Sequence, residues 1–354
     1  MKTISKEINQ SRNILITGGA GFIASNFIHY WFKKYPKDNL LILDSLSYAA
    51  NINSIKPLLK KKNIEFVQGN IKDYDLLTQI FEKNQITDVI NFAAETHVDR
   101  SINSPSIFFE TNVIGTYNLL DRFKNHWEIN NKPNNWRFLQ ISTDEVFGSL
   151  SFEDKPFSEV SPYNPRSPYS ASKASSDHIV KAWHSTYGLP TLITHCSNNY
   201  GPFQFPEKLI PLTITNILKS KKIPVYGDGL NIRDWLYVED HCSAIDLIIN
   251  NSAPGEIYCI GGKNELRNID LIKNICELVD QFAPKLNIKL NHNKSLNLIT
   301  YVDDRLGHDR RYAINSQKLL KKFNWEPKIK YEEGIKKTIH WYLKNIEWWM
   351  PLLK

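Results

Sequence analysis

Residues 13–24 read Asn-Ile-Leu-Ile-Thr-Gly-Gly-Ala-Gly-Phe-Ile-Ala, and this stretch decides the fold. The Ile-Leu-Ile-Thr segment is apolar and β-branched, which predicts a short buried strand. Gly18 and Gly21 then predict a tight turn, and apolar residues recur at helical spacing from Ile23 to Trp31. A strand, a glycine turn and a helix in this order let the backbone approach a pyrophosphate, which the helix N-terminus attracts.

A carboxylate follows at the position where dinucleotide-binding proteins hold the adenosine ribose. A second apolar strand, Leu40 to Leu43, ends in Asp44, about 20 residues beyond the glycine turn. An acid at this position binds the ribose hydroxyls and repels a 2′-phosphate, so it favours NAD over NADP. The glycines alone would also fit a tight structural turn, but an acid at this separation favours dinucleotide binding.

Strand and helix signals keep alternating as far as Cys196. Alternating units of this kind predict an α/β fold with a doubly wound parallel sheet of the Rossmann type. Further strands are predicted at 64–67, 88–95, 138–142, 189–194 and 256–262, and long helices at 106–125 and 167–187.

After Cys196 loop signals become frequent, and helices dominate from Asn264 on. This change predicts a second, smaller lobe of mixed α/β structure that completes the substrate cleft. The predicted NAD-binding domain comprises residues 1–196 plus about 232–262. The predicted substrate-binding lobe comprises residues 197–231 and 263–354.

Polar residues follow the predicted strand at 138–142. The chain continues with Ser-Thr-Asp-Glu-Val at 142–146, which places a hydroxyl and two neighbouring carboxylates at the carboxyl end of a parallel strand. Open α/β sheets bind their ligands at this end. One of two adjacent acids can stay protonated while the other is ionised, because like charges raise one pKa. Taken alone, the dipeptide would also fit a solvated pair of loop acids.

A second group of polar residues opens the predicted helix at 167–187. Tyr169 and Lys173 are four residues apart, so they share a helical face. An ammonium beside a phenol favours the phenolate and lowers its pKa from about 10. The spacing therefore predicts that Tyr169 is a base that works near neutral pH.

These motifs together resemble a known family. Gly-x-x-Gly-x-x-Ala at 18–24 and Tyr-x-x-x-Lys at 169–173 resemble the extended short-chain dehydrogenase/reductases. Within them, Ser-Thr-Asp-Glu-Val at 142–146 resembles the dTDP-glucose 4,6-dehydratases. Relatives that act on GDP-mannose or UDP-glucuronate resemble Ser-Thr-Ser-Glu at this place, so Asp144 discriminates between them. The resemblance extends from about Asn13 to Trp341.

The resemblance implies a lyase that uses bound NAD as a temporary hydride carrier. Tyr169 would take the proton of the C4 hydroxyl, Thr143 would hydrogen-bond that oxygen, and Lys173 would hold Tyr169 and the ribose. Glu145 would then remove the C5 proton, and Asp144 would protonate the departing C6 hydroxyl. Hydride would return to C6.

Carried over position by position, the resemblance also implies the binding residues. Cofactor contacts are implied at Gly18, Gly21, Phe22, Ile23, Asp44, Ser45, Leu46, Ser47, Asn70, Ile71, Ala93, Ala94, Thr96, Thr111, Tyr169, Lys173 and Asn198. Substrate contacts are implied at Thr96, Thr143, Asn199, Lys208, Leu209, Pro224, Tyr226, Arg233, Asn268, Arg305 and His308. Asn70 stands where the family usually has an aspartate; its amide can still pair with adenine, through different donors.

Composition argues against several other classes of protein. The net charge is +7, but the lysine clusters are short and far apart, whereas a nucleic-acid binder would concentrate them with aromatic residues. No apolar run approaches the ~18 residues of a membrane span, and the first seven residues lack the apolar core of a signal peptide. The four cysteines form no Cys-x-x-Cys pair, so we expect reduced thiols, no metal site and a cytoplasmic protein.

Three questions stay open at this level. The substrate could be another nucleotide hexose, such as UDP-glucose or UDP-N-acetylglucosamine, because thymine and uracil differ only by a methyl group. A non-catalytic NAD-binding scaffold is a different class of function, but it would be expected to lack the tyrosine, the lysine or an acid. The resemblance finally implies a homodimer formed through the helices at about 106–125 and 168–187.

Overall fold

A parallel sheet of seven strands forms the centre of the computed structural model, which describes residues 11–353. Its strand order is β10-β6-β5-β4-β1-β2-β3, and every neighbouring pair in it is parallel. These strands are β1 (Asn13–Thr17), β2 (Asn39–Asp44), β3 (Ile64–Gln68), β4 (Asp88–Asn91), β5 (Arg137–Thr143), β6 (Thr191–Cys196) and β10 (Ile257–Ile260). The predicted doubly wound fold is confirmed. The order reverses between β1 and β4, which is where such sheets open a crevice for ligands.

Helices cover both faces of this sheet and build most of the smaller lobe. They are α1 (Phe22–Lys34), α2 (Tyr74–Lys83), α3 (Val98–Asn103), α4 (Ser106–Phe108), α5 (Thr116–Ile129), α6 (Pro168–Tyr187), α7 (Leu209–Leu218), α8 (Val238–Asn251), α9 (Asn268–Phe282), α10 (Gln317–Phe323), α11 (Tyr331–Lys344) and α12 (Ile346–Trp349). The bounds of α6 follow from its ends. Ser167 caps it in a reciprocal arrangement with Ser170, and Gly188 ends it with a left-handed φ of 70°.

Two apolar layers hold the helices against the sheet. On one face, Phe27 of α1 and Ile245 of α8 are fully buried against the strands. On the other face, Leu77 of α2 and Leu120 and Phe123 of α5 are equally buried. Each such side chain contributes roughly 1.5–3 kcal/mol through burial. The carboxyl edge of the sheet is therefore a rigid platform for the loops that follow the strands.

The smaller lobe has its own core and two small sheets. One sheet has the order β11-β9-β7 and the other pairs β12 with β8. The strands are β7 (Asn198–Tyr200), β8 (Ile223–Tyr226), β9 (Ile232–Tyr237), β11 (Glu265–Arg267) and β12 (Ile299–Val302). Fully buried Ile214, Ile272 and Ile339 join α7, α9 and α11 beneath them. Residues 232–262 thus contain β9 of a small sheet and β10 of the main sheet, and the predicted domain division stays a prediction.

The helix predicted at 106–125 is not a regular α-helix. Its middle part, Phe109–Gly115, is a π-helix between α4 and α5, and the helical run continues to Ile129. The wider turns change which residues share a face. Phe109 and Tyr117 are 41% and 40% exposed, whereas Leu120 is fully buried, so these apolar residues do not all face the core.

None of the helices within residues 11–353 combines the length and the apolar character that crossing a membrane requires.

Candidate active site

The glycine turn after β1 forms one end of a cleft at the carboxyl edge of the sheet. Gly18 has a φ of +66°, and a Cβ atom there would lie 2.8 Å from backbone atoms of Ala93, so only glycine fits. Gly21 is the N-cap of α1, where no side chain caps the helix and no acid lies in the first turn. The free N–H groups and the positive end of the helix dipole therefore make this end of the cleft attractive to a pyrophosphate.

Two backbone N–H groups hold the carboxylate of Asp44 at the end of β2. Its Oδ2 atom accepts from the Ala20 N–H at 2.9 Å, and its Oδ1 atom accepts from the Leu46 N–H at 2.7 Å. Burial raises the pKa of the Asp44 carboxyl, and both backbone donors oppose that rise. Leu46 does not line the cleft itself; it has a left-handed φ of 52°, and its N–H donates to this acid.

The glycine turn and the predicted catalytic residues line one continuous cleft with a volume of about 420 Å³. The predicted site residues that line it are Gly18, Gly21, Phe22, Ile23, Asp44, Ser45, Ser47, Asn70, Ile71, Ala93, Ala94, Thr96, Thr111, Thr143, Asp144, Glu145, Tyr169, Lys173, Asn198, Asn199 and Lys208. Residues outside this lining are Leu46, Leu209, Pro224, Tyr226, Arg233, Asn268, Arg305 and His308.

Sequence reasoning missed several residues of the lining, among them Lys72, Glu95, Ser142, Cys196, Gln204, Phe205 and Glu207. A signal was present for some of them. Cys196 is the last residue of β6, and the carboxyl ends of parallel strands meet at the ligand edge. Ser142 and Glu207 each precede a predicted site residue directly.

The two neighbouring acids lie in different environments. β5 ends at Thr143, whose hydroxyl caps a 3₁₀ turn at Asp144–Phe147 by accepting from the Glu145 N–H at 3.3 Å. Asp144 is only 2% exposed, and its Oδ2 atom has no hydrogen-bond partner among residues 11–353. Burial raises the pKa of Asp144 well above its ordinary value, and the charges on Glu145 and Asp234 raise it further.

More positive charges act on Glu145 than on Asp144. Burial raises the pKa of the Glu145 carboxyl, but Arg233 and Lys208, in that order, oppose the rise. The cleft therefore favours a protonated Asp144 beside a Glu145 that ionises more easily.

Tyr169 and Lys173 share the face of α6 that meets the end of β5. The ring of Tyr169 packs edge-on against Phe108 at 6.3 Å, and Lys173 donates from Nζ to the Ile141 carbonyl at 2.8 Å. Burial raises the pKa of the Tyr169 phenol well above its ordinary value, with a further rise from Glu145 and a smaller opposing effect of Thr143. The prediction that the pKa of Tyr169 is lowered is therefore wrong. Tyr169 is buried, and the ammonium of Lys173 donates to a backbone carbonyl.

Three residues predicted to bind substrate form a neighbouring cluster in the smaller lobe. The guanidinium of Arg305 lies 5.3 Å from the ring centre of Tyr226 and pairs with Asp99 through an Nη2–Oδ2 distance of 3.2 Å. His308 lies 2.6 Å from a carboxylate oxygen of Asp304 through Nδ1. Arg305 and His308 are thus paired with carboxylates of the protein.

Arg233 and Asn199 are held firmly by their neighbours. Arg233 donates to the backbone carbonyls of Ile232 and Asp309, and it affects the cleft through its charge. Asn199 lines the cleft, and its side-chain oxygen lies 2.9 Å from Nδ1 of the fully buried His241. Asn268 begins α9, and its Oδ1 atom is buried without a hydrogen-bond partner in the described part of the chain.

No three or more His, Cys, Asp and Glu side chains are grouped to hold a metal ion in residues 11–353. All four cysteines are free and buried.

Known proteins give the family. The family model described as GDP-mannose 4,6 dehydratase matches residues 15–338. A dTDP-glucose 4,6-dehydratase of Salmonella typhimurium is 48% identical over 345 residues, which cover 95% of this chain and 94% of that protein. This chain belongs to the dTDP-glucose 4,6-dehydratase family. The predicted membership, including its place among the extended short-chain dehydrogenase/reductases, is confirmed.

Solved structures of this family superpose on nearly the whole chain. A dTDP-glucose 4,6-dehydratase from Bacillus anthracis, in complex with NAD, has a TM-score of 0.84 and 45% identity, covering 97% of this chain and all of that one. A dTDP-glucose 4,6-dehydratase from Streptomyces venezuelae, with NAD and TYD bound, has a TM-score of 0.86 and 40% identity, covering 96% and 99%.

Proposed function

We propose that this protein converts dTDP-glucose into dTDP-4-keto-6-deoxyglucose, with NAD as its cofactor. One observation carries the proposal: a single cleft joins the glycine turn and Asp44 at one end to Tyr169, Asp144 and Glu145 at the other. The relatives named above, two of them solved with NAD, support the same activity. One cleft can therefore hold both the cofactor and the sugar.

The residues at the glycine end fit the cofactor. A Cβ at Gly18 would clash with Ala93, so the bare backbone leaves room for a pyrophosphate beside the N-terminus of α1. Asp44 would hold the ribose hydroxyls. The Asn70 Oδ1 atom accepts from the Lys72 N–H at 2.9 Å, so its amide NH₂ would be free to donate to adenine. When bound, NAD supplies a cationic nicotinamide ring that accepts a hydride and later returns it.

We propose that Tyr169 starts the reaction by taking the proton of the C4 hydroxyl. Its phenol is kept protonated by burial, so it becomes a base only when positive charge enters the cleft. Lys173, on the same face of α6, would hold Tyr169 and the cofactor ribose, and Thr143 at the end of β5 would donate to the C4 oxygen. The C4 hydride would pass to bound NAD, which would leave a ketone at C4.

The elimination step uses the asymmetry between the two acids. The C4 ketone acidifies the C5 proton, which Glu145 removes as the more easily ionised carboxylate. Asp144, held protonated by burial, gives its proton to the departing C6 hydroxyl, which leaves as water. The hydride would return from the reduced cofactor to C6, and Glu145 would return the proton to C5.

The experiment is to incubate the purified protein with dTDP-glucose, without added NAD, and to identify the product by mass. We expect loss of one water and the ultraviolet absorbance of a 4-keto sugar in alkali. UDP-glucose in a parallel reaction tests the competing substrate, and equal turnover of both would remove the preference for thymine. Absence of any product, with NAD bound, would instead favour the non-catalytic scaffold.

We also propose that two copies associate through the helical segments at about 106–125 and 168–187. Phe109, Ile114 and Tyr117 expose 41%, 52% and 40% of their surface, and an apolar group of this kind suits a protein contact. Sedimentation should give the mass of a dimer, and Ile114→Asp should give monomers. An unchanged mass for this variant would contradict the proposed interface.

Two broader expectations belong to the same proposal. We propose that residues 1–196 plus about 232–262 bind the cofactor and that 197–231 and 263–354 bind the substrate. We also propose a cytoplasmic location, which the four buried, free thiols support because reduced cysteines are typical of that compartment. Cell fractionation tests the location.

A further inference from the structure

A buried carboxylate that the proposed mechanism does not use lies one helical turn beyond Lys173. Asp177 is on α6, four residues after Lys173 and eight after Tyr169, so the three share a face. Its side chain is fully buried. Because an isolated carboxylate is costly to bury, its surroundings are expected to contain compensating groups.

Three polar side chains surround one oxygen of this carboxylate. Asp177 Oδ2 accepts from Ser142 Oγ at 2.7 Å and from Tyr163 Oη at 3.2 Å, and it lies 3.0 Å from His195 Nε2. Tyr163 Oη and His195 Nε2 are themselves 2.9 Å apart. Asp177 Oδ1 has no hydrogen-bond partner among residues 11–353. The charge is thus fixed in position on one side and unpaired on the other.

Consecutive residues of β5 connect this network to the active site. The carbonyl of Ile141 accepts from Lys173 Nζ at 2.8 Å, and the next residue, Ser142, donates to Asp177. Lys173 and Asp177 are therefore fixed to the same point of the sheet, without forming a direct ion pair. Burial lowers the pKa of the Lys173 ammonium, and the charge of Asp177 is the first effect that opposes it.

We propose that Asp177 is a positioning residue for the Tyr169–Lys173 pair. Its carboxylate, fixed by Ser142, Tyr163 and His195, supports the charged form of Lys173, which burial disfavours. The inference rests on the proposed function in one respect: Lys173 is taken to hold the cofactor ribose and Tyr169. The nearby titratable groups are Asp144 after β5, Tyr163 in the following loop, Tyr169, His178 and Lys181 on α6, and His195 and Cys196 on β6.

The test is binding of NADH, in exchange for copurified NAD, followed by its fluorescence from pH 6.5 to 8.5. Asp177→Asn should weaken binding about tenfold at the alkaline end and less than about threefold at the acid end, because an unsupported ammonium loses its proton as pH rises. Wild-type protein is measured in parallel, because it contains the other titratable groups and shows how they change NADH affinity with pH. A loss that is the same at every pH, or no loss, would overturn the proposal.

A double-variant experiment separates the charge effect from packing. If Asp177 acts through Lys173, then Asp177→Asn should cause no further loss of NADH affinity in a Lys173→Met background. An equal further loss there would overturn the proposal. Should Asp177→Asn fail to fold, Ser142→Ala can replace it, because this variant keeps the carboxylate and removes its shortest hydrogen bond. We expect it to weaken NADH binding about threefold at the alkaline end and less at the acid end. Wild-type affinity at every pH in this variant would count against the proposal.

Asp246 provides a matched control. It is a buried carboxylate on α8, 1% exposed, that accepts from Tyr30 and Tyr35 and lies outside the cleft. Asp246→Asn should lower the melting temperature while leaving NADH binding at wild-type pH dependence. A pH-dependent loss in this control would overturn the assignment. Because the readout needs no sugar, failure to turn over dTDP-glucose would reject the proposed function separately.

Discussion

The two ends of the cleft are built in different ways. The cofactor end consists of backbone: the turn at Gly18, the uncapped start of α1 and the N–H groups that hold Asp44. The substrate end consists of charged side chains from distant segments, with Asp144 after β5 and Lys208 before α7. A backbone site is determined by local sequence, whereas a side-chain site depends on how the whole chain is folded. Variants at the two ends should therefore fail in different ways.

The largest effect is expected at the substrate end. Tyr169→Phe should lower turnover of dTDP-glucose by about 10³-fold or more, because the base of the first step is removed. NAD content, measured by release from the denatured protein, should stay at the wild-type level. Tyr200→Phe, at a fully buried tyrosine of the smaller lobe, is the control and should keep turnover. Substantial activity in Tyr169→Phe would rule out its role as base.

Glu145→Gln should separate the steps. Oxidation at C4 remains possible, but the C5 proton has no base, so turnover should fall by about 10²–10³-fold. Reduced cofactor should accumulate, which its absorbance would report after mixing with substrate. Water loss at the wild-type rate would contradict the assignment.

At the cofactor end, Gly18→Ala should affect binding. The added Cβ meets Ala93 at 2.8 Å and strains the positive φ, at a cost of roughly 1–3 kcal/mol. We expect NAD affinity to fall about tenfold or more, measured by titration. Gly188→Ala is a matched control, because its φ is +70° and nothing lies within 4 Å of the new Cβ. Gly188→Ala should be less stable than wild type but should bind NAD normally. If both variants lost NAD affinity equally, backbone strain would explain the loss, and the clash with Ala93 would not.

Asp144→Asn should raise stability while it removes the acid. The folded state raises the pKa of Asp144, so wild-type stability should fall as pH rises from about 4, its unfolded pKa, to the folded value. Asparagine removes this penalty, and we expect a melting temperature a few degrees higher at neutral pH and equal to wild type near pH 3. Asp303→Asn, at an exposed carboxylate, should change neither value. A neutral-pH melting temperature below that of wild type would contradict this account.

The smallest effect is expected at Asn70. Its Oδ1 atom is held by the Lys72 N–H, and an aspartate would keep that contact while it loses the NH₂ donor. Asn70→Asp should therefore change NAD affinity by less than about threefold, measured by titration beside Gly18→Ala. A tenfold change would show that side chains matter as much here as at the substrate end.

The same contrast explains what the sequence could predict. β1, the glycine turn and Asp44 were predictable, because local spacing determines a backbone site. The placing of Tyr169 and Lys173 on one helical face was also predictable, since both lie within the helix expected at 167–187. The direction of the Tyr169 pKa was not, because burial depends on segments far away in the chain.

Distance in the chain also hid the groups around the acids. Asp234 raises the pKa of Asp144 from β9, and His241 holds Asn199 from α8, so neither belongs to the motif whose residue it affects. Asp177 was nearer, at one further turn beyond Lys173, and helical spacing alone would have found it. The spacing of apolar residues did not predict the wider π-helical turns at Phe109–Gly115.

Those wider turns make the length of this segment a constraint in itself. Asn112 accepts from the Glu95 N–H and donates to Ser172, and Thr111 lines the cleft, while Ile114 faces outward. Loss of any one residue would tighten the turn and swing the preceding side chains by about 100° around the axis. We therefore expect this part of the chain to accept exchanges on its outer side but no deletion.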